Sequence, residues 1–246
     1  MRYVRLLDRQ DGKIIFECPA DLANLLEPAL GKAEVVMLRG RGPPTSEFDC
    51  YVSLLSLPAC LKTNLRTVPR EVPYLQADAG KVAYWRKELA GPGLKVGIAW
   101  AGRPTHPQDA ERSCDPEYLA PLAEIPEVTL YGLQKDKQHR DWLPGLGQFV
   151  TDLAPQLTSF DERTAVIANL DLVVSVDTSI VHLAGAMARP VWVMLPYSPD
   201  WRWLLKRKDS PWYPTARLFR QREIGDWPGV ISDVAKALNT LAKKAR

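Results

Sequence analysis

The stretch Leu172-Val-Val-Ser-Val-Asp177-Thr178-Ser179-Ile-Val-His182-Leu-Ala-Gly185-Ala-Met-Ala-Arg-Pro190 concentrates residues that can do chemistry. An apolar run ends in Asp-Thr-Ser, types that cap helices, so the turn offers free backbone N–H groups and the positive end of a helix dipole. Anions bind at such ends. His182 lies one helical turn after Thr178 on the same face, where its imidazole can donate to a phosphate held near Thr178 and Ser179. Gly185 and Ala186 leave room for a ligand or another piece of chain to come close. Taken singly, these residues also fit an ordinary N-cap and a packed core histidine. Together, at the end of an apolar strand, they fit the place where open α/β folds bind ligands.

A second cluster runs from Gly97-Ile-Ala-Trp100-Ala-Gly102-Arg103-Pro104 to Arg112-Ser113. Two glycines, two arginines and a hydroxyl after a strand suit a loop that approaches a pyrophosphate, although no Lys-Ser/Thr follows to make a P-loop. The same composition suits a solvated surface loop, and His106 and His139 read as exposed loop residues. A third cluster, Pro196-Tyr-Ser-Pro-Asp200-Trp201-Arg202-Trp203 with Trp212-Tyr213-Pro214, sets aromatic faces beside arginine. These can stack on a base or sugar, or simply cover the sheet. Lys206 to Lys208 reads as a solvated face, because membrane attraction takes a cluster of about four or more bases.

The elements that must hold these residues alternate. Lys13 to Cys18 reads as a strand, Ala20 to Leu30 as a helix and Ala33 to Arg39 as a strand. From Arg41 to Pro73, prolines interrupt any long element. Asp78 to Leu89 reads as a helix, and Ala90-Gly-Pro-Gly93 as a stop and hinge, which puts a domain boundary between 1–92 and 93–246. Beyond it, strands are expected at Lys95 to Trp100, Val128 to Leu133, Phe149 to Leu153, Asp171 to Asp177, Pro190 to Pro196 and Arg217 to Arg220. Helices are expected from Asp115-Pro116 to Ile125, at Ser159 to Leu170, at Thr178 to Ala188 and at Val230 to Ala245. This alternation predicts an α/β fold with a parallel sheet covered on both faces.

Composition narrows the function classes. The 246 residues are 46% hydrophobic and 25% charged, ordinary globular usage, and 32 Lys and Arg against 29 Asp and Glu leave a formal charge of +3. Those charges are interspersed along the chain, which argues against a nucleic-acid partner. The charged start lacks the pattern of a signal peptide, and no apolar run reaches the roughly 18 residues of a membrane span. Cys18, Cys50, Cys60 and Cys114 form no CxxC pair and no Cys/His cluster at zinc spacing, so no metal site is expected and a reducing cytoplasmic setting is. No GxGxxG follows a predicted strand, which disfavours a dinucleotide oxidoreductase.

The run VDTSIVHLAGAMARPVWVMLPYSPDWRWLL, with DSPWYPTARLFRQ after it, resembles the C-terminal half of bacterial glycosyltransferases related to the ADP-heptose:lipopolysaccharide heptosyltransferases (glycosyltransferase family 9-like), particularly those that follow tetratricopeptide repeats. The resemblance covers most of Gly93 to Ala245. IIFECPADLANLL, FDCYVSLLSLPACL and VPYLQADAGKVAYWRKEL resemble the later part of that family's N-terminal domain. It implies a GT-B-like fold of two Rossmann-like domains, the N-terminal one incomplete, with a nucleotide-diphosphate sugar held mainly by the C-terminal domain and no cofactor or metal. It implies that Asp177, Thr178, Ser179 and His182 hold the donor's diphosphate and nearby ribose or sugar. Many heptosyltransferases have glycine where this chain has Ser179, a change that a backbone N–H contact survives. Arg103 and Arg112 would face the phosphates, with Gly102, Trp100 and Gln134 near the cleft.

The family's opening strand, glycine-rich loop and acceptor-side base have no counterpart here. Asp8 and Asp11 are the nearest acids to that piece, and no context marks either as the base. The expectation is therefore an inverting, metal-independent transferase acting on a glycan or protein hydroxyl, peripheral at the inner membrane or cytoplasmic. Its alternative is a nucleotide-sugar-binding module without turnover. A sheet lacking its central strand would also offer an edge for self-association.

Overall fold

The computed structural model describes residues 1–7, 12–31, 34–38, 47–135 and 147–244. Asp8, Asp11 and His139 lie outside the described residues, as do Arg39, Arg41 and the prolines at 43 and 44. The chain opens with α1 (Val4–Leu7), β1 (Ile15–Pro19), α2 (Ala20–Leu26) and β2 (Glu34–Leu38), and β1 pairs with β2 in parallel. Pro28 tightens the end of the first long helix into a 3-10 turn over Glu27–Ala29. Through the proline-interrupted stretch that follows, the one-turn α3 (Leu57–Cys60) precedes α4 (Ala79–Glu88). Asp78 caps α4, its carboxylate accepting from the Lys81 N–H at 2.8 Å.

Beyond Gly93 come β3 (Leu94–Ala99), α5 (Asp109–Arg112), α6 (Ala120–Ala123), β4 (Val128–Gly132), β5 (Val150–Asp152) and α7 (Phe160–Ala168). Then follow β6 (Leu172–Val176), α8 (Ser179–Ala186), β7 (Val191–Leu195), β8 (Ala216–Arg220) and α9 (Trp227–Lys244). Gly93 is at φ +80°, and a Cβ there would strike the Glu127 carbonyl, so this position needs glycine on both counts. The segment expected as one helix to Ile125 is a 3-10 turn over Pro116–Leu119 followed by α6. Helix α9 begins three residues before the expected Val230, because Pro228 fits a first turn and the Asp226 carboxylate accepts from the Gly229 N–H at 2.9 Å.

The six strands from β3 to β8 are parallel and lie in the order β5-β4-β3-β6-β7-β8. Counted from β3, this is the 3-2-1-4-5-6 order of a doubly wound sheet, whose direction of winding reverses between the first and fourth strands. Every residue of β6 and β7 is buried, which explains their uninterrupted apolar sequence. Their side chains alternate between two cores. Leu172, Val174, Val176, Trp192 and Met194 pack with Leu122, Val234 and Leu238 on one face. Val173, Val191, Val193 and Leu195 face Val166, Ile167, Val181 and Ala184 on the other. That second core is continuous with Val4, Leu25, Leu26, Leu30 and Trp85, so the N-terminal elements sit directly on the α7 and α8 side of the sheet.

Candidate functional site

The winding reverses between β3 and β6, so the loops leaving their carboxyl ends diverge around a crevice. On the β6 side the chain turns at Asp177 and enters α8 with Thr178 as N-cap. The Thr178 hydroxyl accepts from the Ile180 N–H at 3.3 Å and lies 3.1 Å from the hydroxyl of Ser175, which is fully buried. The Val181 N–H bonds the Thr178 carbonyl at 3.2 Å. Ser179 is exposed, and its amide, at the first helical position, has no carbonyl one turn back to bond. The turn therefore fixes itself with its own hydroxyl and leaves the Ser179 amide without an intrahelical acceptor.

His182 sits one turn into α8 with its side chain 36% exposed. Its Nδ1 is 2.9 Å from the Tyr213 hydroxyl, and its Nε2 is 3.7 Å from Asp177 Oδ1. The ring stacks on Trp203, 5.9 Å between centroids and 15° between planes. Desolvation holds its pKa below the ordinary histidine value; Asp177 opposes this, Arg202 and Arg2 reinforce it, and Asp200 opposes it. Burial likewise pushes the Tyr213 phenol up, so it keeps its proton. Gly185 is required here, because a Cβ would overlap the Tyr213 ring, and the Ala186 carbonyl accepts from the amides of Tyr74 and Leu75 at 2.9 and 3.2 Å. The close approach expected at Gly185 and Ala186 is thus made by other parts of this chain.

The β3 side spends its polar groups differently. Trp100 is 2% exposed and belongs to the core, and its backbone amide and that of Ala101 both donate to Gln134 Oε1, at 3.3 and 3.0 Å. Gly102 donates to the Ser113 hydroxyl at 3.0 Å and has no room for a Cβ beside Arg112 and Asp109. Arg112 Nε pairs with Asp109 at 3.1 Å, and Nη1 donates to the Asp177 carbonyl at 3.0 Å. Arg112 thus bolts the β3 loop to the β6 turn across the crevice. Arg103 is exposed. Of the nine site residues named from sequence, Asp177, Thr178, Ser179 and His182 come together, Arg112 braces them, and Trp100, Gly102 and Gln134 shape the loop beneath.

Sequence reasoning missed the group around His182. Arg2 donates to the carbonyls of Pro69 and Trp212, each at 2.6 Å, and its guanidinium lies 4.9 Å from the Tyr213 ring centre and 5.0 Å from that of Tyr74. Tyr213 and Trp203 stood in the aromatic third cluster but face inward, under the histidine, whereas Trp201 is 64% exposed. The usable signal was Gly185, a helical glycine demanding something flat against it. Among the described residues, no group of three or more His, Cys, Asp or Glu side chains is placed to hold a metal ion.

The doubly wound sheet, with its polar turn at the switch point, is a Rossmann-like α/β fold of the GT-B kind. Residues 123–210 match the model of glycosyltransferase family 9 (heptosyltransferase). The fold resembles E. coli ADP-heptose lps heptosyltransferase II, with a TM-score of 0.60 at 19% identity, over 99% of this chain and 93% of that one. It also resembles a family 9 glycosyl transferase of Veillonella parvula, with a TM-score of 0.55 at 10% identity, over 98% and 77%. In sequence the chain is 27% identical to Protein FlbA of Caulobacter vibrioides over 258 residues, covering 94% of this chain and 42% of FlbA. It thus spans less than half the length of that relative. No helix among the described residues is long and apolar enough to cross a membrane.

Proposed function

We propose that the chain binds a nucleotide-diphosphate sugar, of the ADP-heptose kind, in the β3–β6 crevice and transfers the sugar to a glycan or protein hydroxyl, with inversion and without a metal. The observation that carries this is the joint placement of Asp177, Thr178, Ser179 and His182 at the switch point, within a family 9 segment. His182 is neutral at pH 7 on the direction of its shift. The protonated Tyr213 phenol donates to Nδ1, and the Asp177 carboxylate faces Nε2, so the imidazole proton belongs on Nε2. That N–H and the Ser179 amide, with the α8 dipole behind them, are donors suited to a diphosphate. Asp177, which only accepts, suits a ribose or sugar hydroxyl and not a phosphate.

In an inverting transfer the acceptor oxygen attacks the anomeric carbon from the side opposite the diphosphate. The bond from that carbon to the phosphate oxygen breaks, its electron pair leaves with the diphosphate, and the acceptor proton passes to a carboxylate base. The donors on α8 stabilise the charge that develops on the leaving diphosphate. The direct test is release of ADP from ADP-heptose in the presence of candidate acceptors and EDTA. The proposal expects continuous release that His182→Ala abolishes. Binding of the donor with no turnover on any acceptor would instead mark a nucleotide-sugar-binding module, and release that stops on chelation would remove the metal-independent mechanism.

A further inference from the structure

At the β8 edge of the six-stranded sheet, a groove of about 780 Å3 runs between β8, the chain at residues 207–208 and α9. Seven of its lining residues are Arg or Lys and one, Asp233, is acidic, in a chain whose bases exceed its acids only as 32 to 29. Two of these cations are compensated: Arg207 grips Asp209 with two bonds of 2.8 and 2.6 Å, and Arg222 donates to Asp233 at 2.7 Å. Among the described residues, Arg220 bonds only neutral oxygens, the carbonyls of Arg207 and Trp203. Arg217 lies over the rings of Trp192 and Phe219, 5.4 and 4.7 Å from their centres. Lys208, Lys236 and Lys244 are exposed and have no acidic partner among the described residues.

Five positive charges therefore converge on one concavity, and among the described residues no carboxylate is bonded to them. Concave walls of one sign focus the field and concentrate counter-ions. The volume is that of a small-molecule site, too small for a nucleic-acid duplex. A carboxylate brings one charge, whereas a phosphate monoester brings about 1.5 to 2, so about three phosphates neutralise the groove within its volume. Lysines on flexible stems and an arginine held against rings are suited to phosphate oxygens as point charges and as a planar fork.

We infer that this groove binds a ligand carrying three phosphate groups, at a second anion site distinct from the β3–β6 crevice. The two sites share one segment. Trp203 stacks beneath His182 at one end, and its carbonyl holds Arg220 in the wall of the groove at the other. The inference does not depend on sugar transfer.

The test is calorimetric titration with tripolyphosphate at physiological ionic strength, on the wild type and on a Lys208→Gln, Lys236→Gln, Lys244→Gln variant. All three side chains are exposed, so the variant should melt as the wild type does. In parallel, both proteins are sedimented with phosphatidylcholine vesicles containing or lacking phosphatidylinositol 4,5-bisphosphate. The expected result is an affinity that falls at least tenfold in the variant and weakens steeply with salt, while the response to ADP stays as in the wild type. Uptake of tripolyphosphate alone identifies a soluble ligand; additional uptake by the phosphatidylinositol 4,5-bisphosphate vesicles identifies a lipid headgroup. The inference is overturned if neither probe binds, or if the variant binds as the wild type does.

Discussion

The two loops that meet at the switch point are built on opposite plans. After β6, a hydroxyl from the turn itself satisfies the helix start, Ser179 is exposed and the His182 side chain is 36% exposed. After β3, Gln134, Ser113 and Arg112 are consumed in holding backbone, Asp109 holds the Arg112 guanidinium, and the exposed arginine is Arg103. Both loops contain the residue types that bind phosphate. Only the bonding pattern shows that one presents them and the other uses them as struts, so residue type alone overstates what the β3 loop can offer a ligand.

Breaking the strut should have the largest effect. Arg112→Ala leaves Asp109 nine-tenths buried without that cation and cuts the tie to the Asp177 carbonyl, at a cost of about 3 kcal/mol. Differential scanning calorimetry should show Tm falling by roughly 6–12 °C. Full stability in this variant would mean that Arg112 is free to bind ligand after all. His182→Gln attacks the presenting loop and should leave the melt nearly unchanged while weakening ADP binding about 10- to 100-fold, as expected for losing a hydrogen bond to a charged group. Tyr213→Phe acts at one remove. It should weaken ADP roughly fivefold, at about 1 kcal/mol for one hydrogen bond, and mix the His182 tautomers in a two-bond 1H–15N spectrum that contains only three imidazoles. Arg103→Ala should be the mildest, within about 0.5 kcal/mol in stability.

The histidine also gives the comparison a pH axis. Its folded pKa lies below the unfolded value near 6.5, so the unfolded chain takes up the proton first as pH falls. Stability from this group is complete above that value and is lost below it, down through the folded pKa. His182→Gln should flatten that part of the stability–pH curve; an unchanged curve would place the titration elsewhere.

Much of the sheet was legible because β6 and β7 are buried on both faces and read as unbroken apolar runs, and because Asp78, Ser159 and Thr178 announce their helices as caps. Local pattern misjudged the start of α9, where Pro228 and Gly229 look like breakers but fit a capped first turn. At the site, the residues on one turn were legible since four neighbours in sequence share it. Tyr213, Trp203 and Arg2 were not, because each reaches His182 from more than twenty residues away and only the fold brings them there. The basic groove was hidden for the same reason. Arg207 and Lys208 look like a short solvated run until β8 and α9 add their own bases to it.

The central claim is that the β6–α8 turn binds a nucleoside diphosphate. Thermal unfolding of the wild type and of His182→Gln, each titrated with ADP, tests it most directly, since a ligand at 100 times its Kd stabilises by about 2.7 kcal/mol. The account predicts a clear rise in Tm for the wild type and little or none for the variant at the same ADP concentration. No rise in the wild type, or an equal rise in both proteins, would contradict it.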